Sequence, residues 1–357
     1  MDYLDHYRGK KVLLTGHTGF KGSWLAIWLR MLGAEVYGYA LTAGERSLYR
    51  DASVAELLEK ERLEDIGHDD GLEIFINKVK PNIVFHLAAE AIVGNAHKNP
   101  IDAWQTNVMG TLRLLSALKK DNDECSLVVI TSDKCYENHE WVWGYREKDT
   151  LGGKDMYSTS KAAVEILVRG FVNSYLMEEG NRLLLATARA GNVIGGGDWS
   201  DYRLVPDCIR SWERGRIVEL RNPRSTRPWQ HVLEPLRGYL QLGYSLSIDR
   251  SFHGEAFNFG PNAANSRDVG DLVRELSLKW EGVDWAETGG KTEFGESSLL
   301  ALNCDKAAAR LKWRPVLSFT QTASMTSEWY FLHNEGSEAE ELCKEQTHDA
   351  SGSHSTH

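Results

Sequence analysis

The 357-residue chain has no excess of basic residues: 41 Lys and Arg stand against 51 Asp and Glu, a formal charge of −10. That balance excludes a protein built mainly to grip nucleic acid, which needs a strongly basic face. It leaves small anionic ligands open, because those need only a local patch. No run of about 18 uncharged apolar residues occurs, so no membrane-spanning helix is expected. The densest apolar stretch, Trp24 to Leu32, is short and contains Arg30. The first residues, Met1-Asp-Tyr-Leu-Asp-His6, lack the basic and apolar regions of a secretory signal. The five cysteines (Cys125, Cys135, Cys208, Cys304, Cys343) are odd in number and form no Cys-x-x-Cys pair. They read as reduced thiols of a cytoplasmic protein, with no disulfide framework and no metal site. What is present is ordinary globular composition, 42% apolar and 26% charged, in a length that suits a large domain or a closely joined pair. The twelve tryptophans read as packing residues, with Trp229 kept open.

Short apolar runs alternate with helical patterns through the first half. Lys11–Thr15, Ala34–Tyr39, Pro81–Leu87, Ser126–Thr131 and Leu183–Ala188 read as buried strands. Ser23–Leu32, Trp104–Leu118 and Ser160–Val172 read as the helices between them, and a charged helix is expected before Glu64. Single helices between strands predict an α/β fold, a doubly wound parallel sheet, since each crossover must cover a sheet face. The pattern becomes less regular after about residue 190. The predicted division is 1–190 for the sheet domain, with later segments returning to it, 191–330 for a smaller ligand-binding region, and 334–357 for a mobile acidic tail. In the later part Phe257–Gly260 reads as a strand end, and Ser266–Lys279 and Leu302–Leu311 as helices.

Gly16-His-Thr-Gly19-Phe-Lys-Gly22 falls between a predicted strand and a predicted helix, the context that gives a glycine-rich turn meaning. There the first glycine permits a tight turn, the second admits a pyrophosphate, and the third lets helix and strand pack. Helix N-terminal amides then favour the anion. The turn predicts a dinucleotide site that includes Thr18, Phe20 and Lys21. The second strand ends Tyr39-Ala-Leu-Thr42 with no acid to hold a ribose diol, and Arg46 lies near enough to meet a 2′-phosphate, so NAD and NADP both stay open at this point. Asp65 either accepts from an adenine amino group or is solvated.

Tyr157-Ser-Thr-Ser-Lys161 places a phenol and an ammonium four residues apart, on one helix face. A nearby cation favours the phenolate, so the tyrosine can serve as a base. Together with His86-Leu-Ala-Ala-Glu90, Asn107-Val-Met-Gly-Thr111 and Asn258-Phe-Gly260, these residues resemble the extended short-chain dehydrogenase/reductase family over roughly residues 10–325. The resemblance implies a Rossmann-type sheet with a smaller C-terminal α/β substrate domain, NAD as cofactor, and a homo-dimer or homo-tetramer pairing through the helix that bears Tyr157. It also implies cofactor contacts from Gly16, Thr18, Gly19, Phe20, Lys21, Gly22, Asp65, Ile66, Leu87, Ala88, Ala89, Thr106, Asn107, Tyr157 and Lys161.

The segment Thr131-Ser132-Asp133-Lys134-Cys135-Tyr136 looks like that of the sugar-nucleotide 4,6-dehydratases of this family, with Lys134 where a glutamate is expected. That departure, with the turn at 16–24 and Arg189-Ala-Gly-Asn-Val-Ile-Gly-Gly-Gly-Asp-Trp199, is most similar to dehydratases acting on CDP-glucose. Catalytic roles then follow for Ser132, Asp133, Lys134, Tyr157 and Lys161. Tyr157 takes the 4-hydroxyl proton, C4 is oxidised, Asp133 in a dry pocket protonates the departing 6-hydroxyl, and a hydride returns to C6. A protonated lysine cannot remove the C5 proton, so Lys134 is either a buried neutral base, a cation that stabilises the enolate, or a surface residue. Residues 200–231 carry seven arginines against four acids, most of them read as a solvated face. The resemblance selects Glu90, Asn192, Arg203, Leu204, Arg227, His231 and Asn258 for the sugar nucleotide, arginine suiting a diphosphate by its fork geometry. A UDP-hexose 4-epimerase, a dehydratase of dTDP- or GDP-sugars, and a non-catalytic dinucleotide sensor are the competing readings.

Overall fold

The computed structural model describes residues 3–68, 71–121, 123–178, 180–262, 266–280, 283–288 and 299–352. In chain order the first half runs β1 (Lys11–Thr15), α1 (Phe20–Met31), β2 (Glu35–Ala40), α2 (Leu48–Asp51), β3 (Lys60–Leu63), α3 (Gly71–Val79), β4 (Ile83–His86), α4 (Val93–Lys98), α5 (Pro100–Trp104), α6 (Gly110–Asp121), β5 (Cys125–Ile130), α7 (Met156–Tyr175) and β6 (Leu183–Arg189). The second half holds β7 (Val193–Ile194), α8 (Leu204–Trp212), β8 (Val218–Leu220), β9 (Thr226–Pro228), β10 (Gln230–His231), α9 (Leu233–Ile248), β11 (Ala256–Asn258), β12 (Ser266–Asp268), α10 (Val269–Ser277), β13 (Trp285–Glu287), α11 (Asp305–Arg310), α12 (Phe319–Asn334) and α13 (Ala339–Gly352).

Among the described residues the main sheet has seven parallel strands in the order β3-β2-β1-β4-β5-β6-β11. The order reverses between β1 and β4, and the crevice outside the strand ends at such a switch point is where ligands bind. The central strands β1, β4 and β5 are buried on both faces because successive side chains alternate between two cores. Val12, Leu14, Phe85, Val128 and Ile130 join Trp24 and Trp28 on one side. Leu13, Val84, Leu127 and Val129 join Phe75, Leu115 and Val168 on the other. Residues 233–258 return to this sheet: α9 packs on β4, β5 and β6, and β11 pairs with β6.

Several expectations are corrected. The charged segment before Glu64 is not a helix but β3, whose partner strand supplies the hydrogen bonds that its polar sequence does not advertise. The helix foreseen at Ser266 begins only at Val269, because 266–268 pair antiparallel with β9. The helix foreseen from Leu302 starts at Asp305. The supposed mobile tail is helix α13, docked on α1 and α12. Its six acids drew attention from a buried stripe at Ala339, Leu342, Cys343, Thr347 and Ala350, spaced as one helix face. Residues 353–357 of that tail lie outside the described residues.

Candidate active site

The crevice opens where β1 runs into α1. Gly16 turns the chain at φ +78°, and a Cβ there would stand 2.6 Å from the Ala88 nitrogen. A Cβ at Gly22 would lie 2.1 Å from the Gly16 carbonyl oxygen, so the third glycine lets α1 seat against the turn. At Gly19, the exposed N-cap, a Cβ would meet protein only at 3.4 Å, and no side chain caps the first turn. Helix amides without a cap, beside room no protein atom fills, fit a diphosphate. Phe20 and Lys21 occupy that first turn, half-buried, and the Thr18 hydroxyl donates to the Leu41 carbonyl at 2.9 Å. Leu87, Ala88 and Ala89 form the facing rim, half-buried, after β4.

Buried polar links hold the rim. The Thr111 hydroxyl donates to the Asn107 carbonyl (2.6 Å), so it accepts from Nε2–H of His86 (2.9 Å), whose Nδ1 then accepts from Thr15 Oγ1 (2.7 Å). Burial, with Lys161 nearby, pushes His86 down to about 3 and keeps it neutral. Asn107 is 1% exposed and clamps the Glu90 backbone to Ser160 on α7 through its side-chain amide. Its side-chain amide is thus engaged in shaping the rim. The half-buried Glu90 caps the next turn by accepting from Ile92 N at 2.8 Å, and Thr106 is half-buried in the π-helical turn Gln105–Met109. The Asp65 carboxylate accepts from Gly67 N at 2.7 Å, and Ile66 is 3% exposed, packed in the core.

Arg46 is not available to a 2′-phosphate. Its guanidinium pairs with Glu213 at 2.8 and 2.5 Å and lies 3.3 Å over the Trp199 ring. A buried pair missed from the sequence sits behind the turn: His17 Nε2 is 2.7 Å from Glu61 on β3, and its ring occupies the space a Cβ at Gly38 would need.

The chemical groups converge at the end of β5. Ser132 caps the turn Asp133–Cys135 by accepting from Lys134 N at 3.2 Å, and its hydroxyl donates to Asp133 Oδ1 at 2.9 Å. The Tyr157 phenol on α7 lies close to Ser132. Tyr157, Ser132 and Asp133 thus stand in one row, and Ser132 Oγ–H turned to the phenol oxygen favours the phenolate. Burial first, with Asp133 adding, pushes the phenol up to about 12 against the opposing pull of Ser132 and Arg203. Arg203 is a cation that pulls the phenol down. Lys161, 6% exposed, is pushed down to about 8 by burial, opposed most by Glu165. Lys134 is exposed, with Nζ 6.0 Å from the centre of the Tyr157 ring, at the mouth of the site.

Asp133 is 3% exposed and its Oδ2 accepts from Asn192 Nδ2 at 3.2 Å. Asn192 holds a left-handed backbone (φ +53°), which aims its amide at the carboxylate. Gly191 was missed in the sequence: a Cβ there would fall 2.0 Å from the Asp133 carboxyl carbon. Gly191→Ala should therefore displace Asp133 and lower kcat about 100-fold with cofactor affinity kept, read by steady-state kinetics beside a binding titration.

The remaining expected ligands divide. Arg203, N-cap of α8 and followed by half-buried Leu204, pairs with Asp198 at 2.9 Å and remains one-third exposed towards the cleft. Arg227 lies on β9, half-buried, donating to the Thr226 carbonyl. His231 and Asn258 are fully buried. Burial pushes His231 down to about 3, and its ring packs edge-on to Trp24. Asn258 accepts from the Tyr136 hydroxyl and donates to the Tyr145 and Asn303 carbonyls. Trp229 is buried and donates to the Arg267 carbonyl at 3.2 Å, a packing role.

This geometry agrees with comparisons to known proteins. The CDP-glucose 4,6-dehydratase of Salmonella typhimurium is 43% identical over 329 residues, 91% of each chain. The dTDP-glucose 4,6-dehydratase of Haemophilus influenzae is 25% identical, covering 91% of this chain and 99% of that one. Among solved structures, an epimerase of Methanothermobacter thermautotrophicus matches with a TM-score of 0.78 at 23% identity, over 97% of both chains. The dTDP-glucose 4,6-dehydratase of Bacillus anthracis, solved with NAD, matches with a TM-score of 0.75 at 20% identity, over 92% of this chain and 98% of that one. The sequence profile described as GDP-mannose 4,6 dehydratase matches residues 13–326, and with the parallel sheet, the glycine turn and the Ser132–Tyr157–Lys161 cluster in place, the chain belongs to that family, within the extended short-chain dehydrogenase/reductases.

Proposed function

We propose that the protein is an NAD-dependent 4,6-dehydratase of CDP-glucose, releasing water and CDP-4-keto-6-deoxyglucose. The observation that carries the reading is the buried acid Asp133, which accepts from Ser132 close to the phenol of Tyr157. An epimerase needs the phenol and the hydroxyl but no acid beside them. A sensor needs none of the three. The cytidine part of the reading rests on likeness to the Salmonella relative.

The turn at Gly16, Gly19 and Gly22 and the α1 amides would hold the diphosphate of NAD, with Lys161 on its ribose, and NAD when bound takes a hydride from sugar C4 and returns one to C6. NAD is favoured over NADP because Arg46 is engaged by Glu213. Tyr157 takes the proton of the 4-hydroxyl, with Ser132 orienting the two oxygens. A ketone at C4 acidifies the C5 proton, which passes to solvent at the mouth of the site. The C5–C6 double bond forms as the 6-hydroxyl takes the Asp133 proton and leaves as water. After hydride return to C6 the enolate takes a proton back at C5 from solvent. Lys134, being exposed, acts as the cation that steadies negative charge on O4 and not as a desolvated base. Arg203 and Arg227 hold the sugar nucleotide's diphosphate. Glu90, Asn192 and Leu204 line the sugar side.

Offering CDP-, dTDP-, UDP- and GDP-glucose with NAD tests the reading: only the CDP sugar should lose one water by mass. Absence of that product sinks it, and a 4-epimer in its place favours the epimerase. We infer that the protein forms homo-oligomers through α5 and α7, where Ile101, Ile166 and Tyr175 stand more than half exposed. A monomeric mass by light scattering would refute this. Five cysteines, none of them in a disulfide among the described residues, support a cytoplasmic setting. No helix among the described residues is long and apolar enough to cross a membrane.

A further inference from the structure

The crevice has two walls, and a polar contact spans its mouth. One wall is the rim Leu87–Glu90, continued by α4, which packs on α5 and α7. The other is the loop between β7 and α8, which ends in Tyr202 and Arg203. Lys98 closes α4. Its Nζ donates to the Tyr202 hydroxyl at 3.1 Å and stands 5.3 Å from the centre of the same ring. The two residues lie 104 apart in sequence, and both are exposed. The rest of the loop is anchored away from the rim. Trp199 Nε1 donates to Asp51 at 2.9 Å, the Asp198 carbonyl accepts from Tyr330 at 2.6 Å, and Arg210 of α8 donates to the Trp199 and Ser200 carbonyls. Tyr202 also holds a backbone that a bulky residue seldom adopts, with φ +61°. Such a conformation persists only where its surroundings impose it, and it collects at clamps and switches. The next residue is Arg203, the N-cap of α8, with its guanidinium on Asp198 and one-third exposed.

We propose that Lys98 and Tyr202 form a latch across the mouth of the crevice, which positions Arg203 over the sugar nucleotide and slows its release. The proposal rests on the reading of Arg203 as a ligand of the sugar nucleotide's diphosphate. With the latch closed, the contact with Lys98 holds Tyr202 left-handed, and the chain enters Arg203 in the direction that presents the guanidinium to the cleft. With the latch open, Tyr202 relaxes to the extended region, where a bulky residue is at ease, and Arg203 loses that direction. A hydrogen bond and a cation over a ring at an exposed site are weak by themselves. Weakness suits the task. The contact yields to an entering ligand, and a diphosphate on Arg203 then favours the closed arrangement because only that arrangement offers it the arginine. Lys98 and Tyr202 are therefore positioning residues that act through Arg203 and touch no reacting atom.

Stopped-flow displacement of CDP from the full chain with NAD, beside steady-state kinetics with CDP-glucose, tests the latch. Lys98→Met removes both the hydrogen bond and the cation over the ring. It should raise the CDP off-rate and the KM for CDP-glucose about fivefold and leave kcat within about twofold, since the contact governs release and not chemistry. Tyr202→Phe keeps the ring under Lys98, so its effect should be smaller, about threefold. In the Lys98→Met background Tyr202→Phe should add nothing, because the contact is already gone. Melting temperatures should match the wild type, both residues being exposed. An unchanged off-rate in Lys98→Met, or effects of the two substitutions that simply add, would overturn the proposal. Faster release that comes with a lowered melting temperature would make the pair structural and overturn it too. Arg203→Met is the separate check on the underlying reading, and it should weaken CDP at least about tenfold. If it does so while the latch variants release CDP as the wild type does, the latch alone falls. If Arg203→Met binds CDP like the wild type, Arg203 is not a diphosphate ligand and both readings fall.

Discussion

Tyr157→Phe should lower the rate of sugar C4 oxidation by about 10³-fold, within the range a positioned general base supplies, and leave NAD and sugar-nucleotide affinity within a few-fold. The ring keeps its packing, and only the hydroxyl close to Ser132 is lost. The pH dependence separates this from a structural effect. Burial holds the phenol up at about 12, so below that value the proton-free form is the minor one. Its share grows about tenfold for each pH unit, and the wild-type single-turnover rate should climb with it through the alkaline range. The residual rate of Tyr157→Phe should be flat over the same range. A variant that retained the climb would show that another group takes the proton.

Arg189→Met should destabilise the protein by about 3–5 kcal/mol, because it strips the partner from a carboxylate in the core. Arg189 on β6 and Glu165 on α7 are each 3% exposed and meet at 2.8 Å. Glu165 also accepts from Thr131 (2.5 Å) and Thr187 (2.8 Å). Burial alone would raise its proton affinity, but Arg189 and the two hydroxyls outweigh it and hold Glu165 below the ordinary carboxylate range. A depressed carboxylate contributes stability above its unfolded value and loses it as pH falls through the folded one. The wild type should therefore lose stability on the acid side, and Arg189→Met should show the loss already at neutral pH, measured by urea unfolding. Arg189→Met with Glu165→Leu should recover much of the deficit, since no charge is then stranded. The hydroxyls of Thr131 and Thr187 lose their acceptor, so recovery stays incomplete.

The same pair reaches the chemistry. Arg189 Nη1 donates to the Tyr136 hydroxyl at 2.7 Å, and Tyr136 ends the segment that carries Ser132 and Asp133. Thr131, immediately before Ser132, is tied to Glu165, one turn beyond Lys161. The buried ion pair thus sets the register between the β5 end and α7, on which the contact of Ser132 with Tyr157 depends. The double variant should accordingly be stable yet slow.

The amino-acid sequence by itself determined what is local. The glycine turn can be read because its three glycines fall within seven residues, between a strand and a helix. Tyr157 and Lys161 can be paired because helix geometry puts residues four apart on one face. Strands β1, β4 and β5 can be read because burial on both faces demands continuous apolar runs. Tertiary structure alone decided the rest. β3 is polar and exists because β2 offers it hydrogen bonds. Gly191 matters because β6 ends where Asp133, 58 residues earlier, turns inward. Arg46 looked like a phosphate ligand until Glu213, 167 residues on, was seen to hold it. His231, Asn258 and Asn107 carry polar groups that a ligand could use, but folding seals them 0–1% exposed. Hydrogen bonds and ion pairs form between groups that topology brings together, and nothing in the spacing of two distant residues records whether the fold will spend their polarity on each other or leave it for a ligand.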